Sequence, residues 1–161
     1  ATTGGMLSLS QLSDQLQILL DDPGMISNAV EEMLRFESPS AGLWRVVTMD
    51  TAIQGVAIPK GALLQLRYAA ANRDERVFDK PDSMDVCRQN AGDNIAFGYG
   101  THFCPGAFLA RKEMQVAFSR LLQRLTNIRL AEGKNDLTHW PNMVLRGLKE
   151  LHITFDRRTD A

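Results

Sequence analysis

The sequence predicts a mainly helical fold carrying a small β-sheet, an α+β arrangement in one domain, and three observations predict it. From residue 110 onward, Ala110, Met114, Ala117, Phe118, Leu121 and Leu125 recur at the spacing of one helical face. Between residues 45 and 66, β-branched and alternating stretches surround a Pro59-Lys60-Gly61 turn. The chain as a whole, 161 residues with 44% apolar and 23% charged side chains, is long enough for one core and has an ordinary globular composition.

The elements follow in order. Met6, Leu7 and Leu9 are helix-compatible, with no capping residue ahead of them, so the chain reads as starting partway along a helix. Ser13 is placed to cap a second helix, DQLQILLDD, which stops because Pro23 disfavours αR geometry at the residue before it. A third helix is expected from Asn28 to Phe36, with Val30, Met33 and Leu34 on its apolar face and Glu32 and Arg35 at i, i+3, ending before Ser38-Pro39. Arg45 to Thr48 reads as a strand, and GVAIPKGALLQL as a hairpin-like pair about the Pro59 turn. From Tyr68 to Asn94 there is turn chemistry with little periodicity, an irregular length that a compact domain keeps for functional loops. Pro105 suits the first position of the long helix. Leu151, Ile153 and Phe155 alternate in a final strand after a turn at Arg146-Gly147.

A formal net charge of −1 gives no general attraction to a polyanion or a membrane surface, which argues against nucleic acid and membrane as partners. No apolar run reaches the about 18 residues of a membrane span, and cytoplasmic is the expected location. Cys87 and Cys104 could form at most one bridge, which a reducing compartment disfavours, so each thiol needs its own explanation.

Cys104 lies in FGYGTHFCPGAFLARKE, residues 97 to 113, where a loop rich in glycine and aromatic residues meets the long helix. Unpaired backbone N–H groups and the positive end of the helix dipole favour a thiolate there, suited to be a ligand or a nucleophile. A nucleophile needs a general base, and His102 two residues upstream does not settle that question. A zinc site would need several Cys and His at paired spacings, which are absent. A single-thiolate axial site remains, and Gly98, Gly100 and Gly106 would let backbone lie flat against a large planar ligand such as haem.

This loop and helix closely resemble the haem-binding region of the cytochrome P450 superfamily, particularly its soluble bacterial type. E-E-M-L-R at 31 to 35 is similar to the family's E-x-x-R helix, and A-N-R-D at 71 to 74 and Arg45 ahead of G-V-A-I-P-K-G follow the family's order. The resemblance identifies residues 1 to 161 as the C-terminal, haem-binding portion of that fold. It implies haem b, iron protoporphyrin IX, as cofactor, with Cys104 as the metal ligand whose electron donation favours O–O cleavage. Phe97 would pack beside the thiolate, Gly98, Gly106 and Ala110 would lie against the cofactor, and Arg45 and His102 would hold the propionates. Glu32, Arg35 and Arg73 resemble the family's internal ion-pair network. Thr2 and Thr3 resemble the threonines that deliver protons to bound oxygen, and the segments 40 to 44 and 143 to 145, with Leu43, Trp44, Val144 and Leu145, align with substrate-facing positions.

The implied activity is a monooxygenase that inserts one oxygen atom from O2 into a small apolar organic substrate, with electrons from a ferredoxin or a flavoprotein. Ala1 stands where the family usually has an acid, the stretch from Thr3 to Ser13 is about one turn short, and nothing corresponds to the family's N-terminal part. A second expectation is therefore a truncated, catalytically silent haem-binding or association module, forming an oligomer or partnered by an N-terminal half. Pro105 has no N–H to direct at the sulfur, so the thiolate should donate more strongly and the reduction potential should fall. A cysteine hydrolase lacks a convincing base and oxyanion arrangement. Cys87, His139 and His152 receive no role, and the methionines read as core filler.

Overall fold

Helices α1 (Thr2–Gln11) and α2 (Ser13–Asp21) meet at Leu12, whose N–H donates to the Ser8 carbonyl and whose own carbonyl accepts from Leu16. Ser13 is therefore the first residue of α2 and not its cap, because the turn of chain between the helices is already closed by backbone bonds. Capping falls instead to Asp22, whose carboxylate accepts from the Gly24 N–H at 2.9 Å and opens a 3-10 turn over Pro23–Met25. That turn feeds directly into α3 (Ile26–Glu37), which starts two residues earlier than its periodicity predicts. Ser38 stops α3 with φ +41°, a left-handed conformation eased by a local bond from its hydroxyl to the Arg35 carbonyl at 2.8 Å. The computed structural model describes residues 1–159.

Among the described residues the strands form three separate antiparallel pairs in place of one small sheet. β1 (Leu43–Val46) pairs with β4 (Leu63–Leu66), and β2 (Thr51–Ile53) pairs with β3 (Val56–Ile58). The hairpin expected across Pro59 is thus not formed between β3 and β4. Gln54 and Gly55, at φ +50° and +82°, make the tight turn whose twist suits a hairpin and so bind β3 to β2. The Pro59 turn, closed by the Ala62 N–H on the Pro59 carbonyl at 3.1 Å, returns β4 to β1. A short helix, α4 (Tyr68–Ala71), interrupts the stretch read as irregular.

α5 (Ala107–Arg124) is the long helix, and it begins two residues after Pro105, with Gly106 as its N-cap. Met114, Phe118 and Leu122 carry its buried face into a core shared with Leu9, Val30 and Met33. α1 approaches this core closely at Gly5, where an added Cβ would lie 2.7 Å from the Met33 sulfur and 3.0 Å from the Phe118 ring. Leu125, placed by its spacing on the helix, instead starts β5 (Leu125–Leu130), which pairs with β6 (Ile153–Arg157) through an irregularity near Asn127 at φ +51°. Among the described residues no helix is long and apolar enough to cross a membrane.

Candidate haem-thiolate site

The thiol loop is closed on itself by backbone. The Cys104 N–H donates to the Phe97 carbonyl at 3.0 Å, and Gly98 and Gly100 turn the chain between them at φ +76° and +70°, values that side-chain-bearing residues rarely adopt. The Phe97 and Phe103 rings meet edge to face with centroids 6.5 Å apart. Cys104 is half-buried, and a Cβ on Gly106 would lie 3.8 Å from its sulfur.

Beside the sulfur lies a cavity of about 450 Å³ whose walls are almost wholly apolar. The predicted residues Leu43, Phe97, His102, Cys104, Ala110 and Leu145 all line it. Ser40, from the segment aligned with substrate-facing positions, lines it too, as do Ala1 and Pro39, and so do Leu34, Tyr68 and Ala96, which received no site role from the sequence. Leu34 carried a signal, since the apolar face of α3 continues into the cavity. Leu43 and Leu145 come together because Ser40 and Leu145 form an antiparallel bridge, with the Ala41 N–H on the Val144 carbonyl at 2.6 Å.

Other predicted residues fall elsewhere. Thr3 lines a separate small cleft with Glu37 and Arg146, and Thr2 is half-buried in the first turn of α1 off both cavity walls. Trp44, Val144, Gly98 and Gly106 are off the cavity wall too. Arg45 is half-buried on β1, off the wall, and its guanidinium donates only to the carbonyl of Trp44 at 2.9 Å.

Glu32 and Arg35 are fully buried and paired bidentately, Nε on Oε2 at 2.7 Å and Nη2 on Oε1 at 2.8 Å. The second arginine on Glu32 is Arg88, whose Nε lies 3.1 Å from Oε2. Arg73, expected in this network, instead donates to Asp82 at 2.6 Å and to the Phe36 carbonyl at 2.8 Å, with its guanidinium 4.0 Å from the Phe36 ring centroid. Leaving α4 at the surface, Arg73 meets an exposed carboxylate first. Alternation could have found Arg88: Met84, Val86 and Arg88 are buried in turn, so the apolar face of this stretch ends in a guanidinium. Arg35 donates further to the carbonyls of Asn72, Pro81 and Ser83, and Arg88 to those of Asp79, Lys80 and Ser83. Buried Asn72 then links this meander to the thiol loop, accepting from the Ile95 N–H at 2.8 Å and donating to the Ser38 hydroxyl at 2.9 Å.

Among the described residues no cluster of three or more His, Cys, Asp or Glu could hold a bare metal ion. A lone soft thiol on the wall of an apolar slot suits a metal that brings its other ligands with it, as an iron porphyrin does.

The model of the family described as Cytochrome P450 matches residues 24–155. Cytochrome P450 107B1 of Saccharopolyspora erythraea is 42% identical over 149 residues, which make up 92% of this chain and 36% of the relative. Vitamin D(3) 25-hydroxylase of Pseudonocardia autotrophica is 41% identical over 156 residues, 96% of this chain and 38% of the relative. The solved structure of substrate-free Mycobacterium marinum cytochrome P450 CYP150A6 superposes with a TM-score of 0.94 at 35% identity, covering 97% of this chain and 40% of that one. The chain thus spans 36% to 40% of the length of these relatives. With a family model matching most of its length and a backbone that follows a solved member, the chain belongs to the cytochrome P450 family, whose cofactor is haem b.

Proposed function

We propose that this chain is the haem-thiolate portion of a monooxygenase that inserts one oxygen atom from O2 into a small apolar organic substrate, using electrons from a ferredoxin or flavoprotein. The observation that carries the reading is the Cys104 sulfur on the wall of an apolar cavity of about 450 Å³, within the range of small-molecule sites. Cys104 would hold the iron, and Phe97, Gly98, Gly106 and Ala110 would lie against the porphyrin. Bound haem supplies the oxygen-activating chemistry. Arg45, with a guanidinium bound to no carboxylate among the described residues, and His102 on the cavity wall would hold the propionates. Leu43 and Leu145 would exclude water and orient the substrate, with Trp44 and Val144 beside them. Thr2 and Thr3, next to cavity-lining Ala1, would hold or pass a proton at their hydroxyls. Glu32, Arg35 and Arg88 would keep the meander fixed beneath the thiol loop.

Two relatives are named for action on apolar molecules, the vitamin D(3) 25-hydroxylase and a steroid C26-monooxygenase of Mycobacterium tuberculosis, which supports an apolar substrate.

The test is to load the chain with haem, reduce it under carbon monoxide and record the Soret band. Thiolate ligation gives a strongly red-shifted band that Cys104→Ser abolishes; an unshifted band in the unmodified chain refutes the proposal. The second reading, a catalytically silent association module, draws on exposed apolar side chains: Val46 at 63%, Leu63 at 61%, Phe108 at 82% and Leu109 at 60%. It requires a stable oligomer or complex in sedimentation with no haem uptake.

A further inference from the structure

We infer that Arg111 is a positioning residue for the thiol loop: it clamps the Phe97 ring and through it sets the exposure of Cys104. Arg111 sits early in α5, and Glu31 faces it from α3. Its Nε donates to Glu31 Oε1 at 2.6 Å and its Nη2 to Oε2 at 3.0 Å, a fork on a fork. The carboxylate is itself held from the other side. Asn94 Nδ2 donates to Glu31 Oε2 at 3.1 Å, while Asn94 Oδ1 accepts from the Ala96 N–H at 3.1 Å, one residue before Phe97. The guanidinium is therefore fixed in plane and place, with its carbon 4.7 Å from the centroid of the Phe97 ring.

Phe97 passes the constraint on. Its carbonyl accepts from the Cys104 N–H, and Phe97 lines the cavity beside Cys104. The rest of the loop offers little outer support: Gly98 and Gly100 turn it, and Tyr99 is 87% exposed. A partly exposed ion pair adds little to global stability, so the Arg111–Glu31 pair acts mainly through where it holds the ring. Lysine would keep a cation over Phe97, whereas methionine would keep bulk without charge.

The test has one readout that needs no cofactor. In a Cys87→Ser background, native-state alkylation of Cys104 by iodoacetamide should accelerate on the order of three- to thirtyfold in Arg111→Met and stay within about twofold in Arg111→Lys. Glu31→Gln, which loosens the fork but keeps the arginine, should give a smaller acceleration. Arg111→Met added to Phe97→Leu should change nothing further. An unchanged rate in Arg111→Met, or an equal acceleration with and without the Phe97 ring, overturns the assignment, the latter because it marks general loosening. A second readout rests on the haem-thiolate reading: the reduction potential of the haem-loaded protein should move in Arg111→Met and not in Arg111→Lys, and a potential unmoved in Arg111→Met counts against the assignment. If haem is not taken up while alkylation responds as expected, the positioning role stands and the haem-thiolate reading fails. If the red-shifted band forms while alkylation is unmoved, the reverse holds.

Discussion

The meander from Asn72 to Asn94 and the thiol loop from Phe97 to Cys104 adjoin in sequence, yet opposite means hold them. The meander has only one 3-10 turn of regular structure, and side-chain charge replaces secondary structure: Arg35 and Arg88 bond to Glu32 and to five meander carbonyls between them. The thiol loop has backbone turns, an aromatic pair and one guanidinium over a ring, and it leaves Phe103 48% exposed. Irregular chain that must not move is saturated with polar bonds in the interior. The thiol loop, which the proposed reading sets against a flat ligand, keeps its apolar surface free and is steadied from its edges.

Breaking the meander should cost most. Glu32→Ala leaves two buried guanidinium charges unpaired, and a loss of about 3–5 kcal/mol is expected in denaturant unfolding, read as a lower midpoint at unchanged slope. Asn72→Ala, which cuts the link between the two regions, should cost about 2 kcal/mol and leave the Ile95 N–H exposed to exchange. Hydrogen exchange at Ile95 unchanged from the parent would count against that link.

The loop side responds differently. Cys104→Ser should alter stability by under about 1 kcal/mol while removing the red-shifted carbonyl band of the haem-loaded protein. Pro105→Leu restores an N–H beside the sulfur and should raise the reduction potential with no change in unfolding midpoint; an identical redox titration would dismiss the idea.

The smallest effect sharpens the contrast between buried and exposed pairs. At the start of the meander, Arg76 bonds to both Asp74 oxygens and lowers that carboxyl from 3.8 to about 2. A depressed folded pKa means that the contribution is present above the unfolded value and lost as pH falls through about 2. The pair lies at the surface, with Arg76 exposed, so the expectation concerns titration alone: Arg76→Ala should return the NMR midpoint of Asp74 towards 3.8 and leave the unfolding midpoint at neutral pH where it was.

Much of this was legible in the residues. The core faces of α3 and α5 follow from helical spacing, and E-E-M-L-R together with the loop around Cys104 marked the ion pair and the thiol. Strand pairing was less so. Alternation located β3 and β4, but the φ-positive pair at Gln54-Gly55 chose their partners. β5 was missed because LTNIRL continues a helical spacing of leucines and becomes a strand only against β6. Arg73 was expected in the network because A-N-R-D follows the family's order, while the local signal for Arg88, its place at the end of the alternation Met84, Val86, Arg88, was not read.

The sequence alone determined where the thiol stands, which helix follows it and which acid and base pair within α3, since each is a relation among neighbours a turn or a short loop apart. Tertiary structure decided the rest: that Leu43 meets Leu145 across one cavity, that Arg88 neutralises Glu32, and that Glu31 aims Arg111 at Phe97. Those contacts join residues dozens of positions apart, and local propensity carries no information about the path that brings them within a few ångströms.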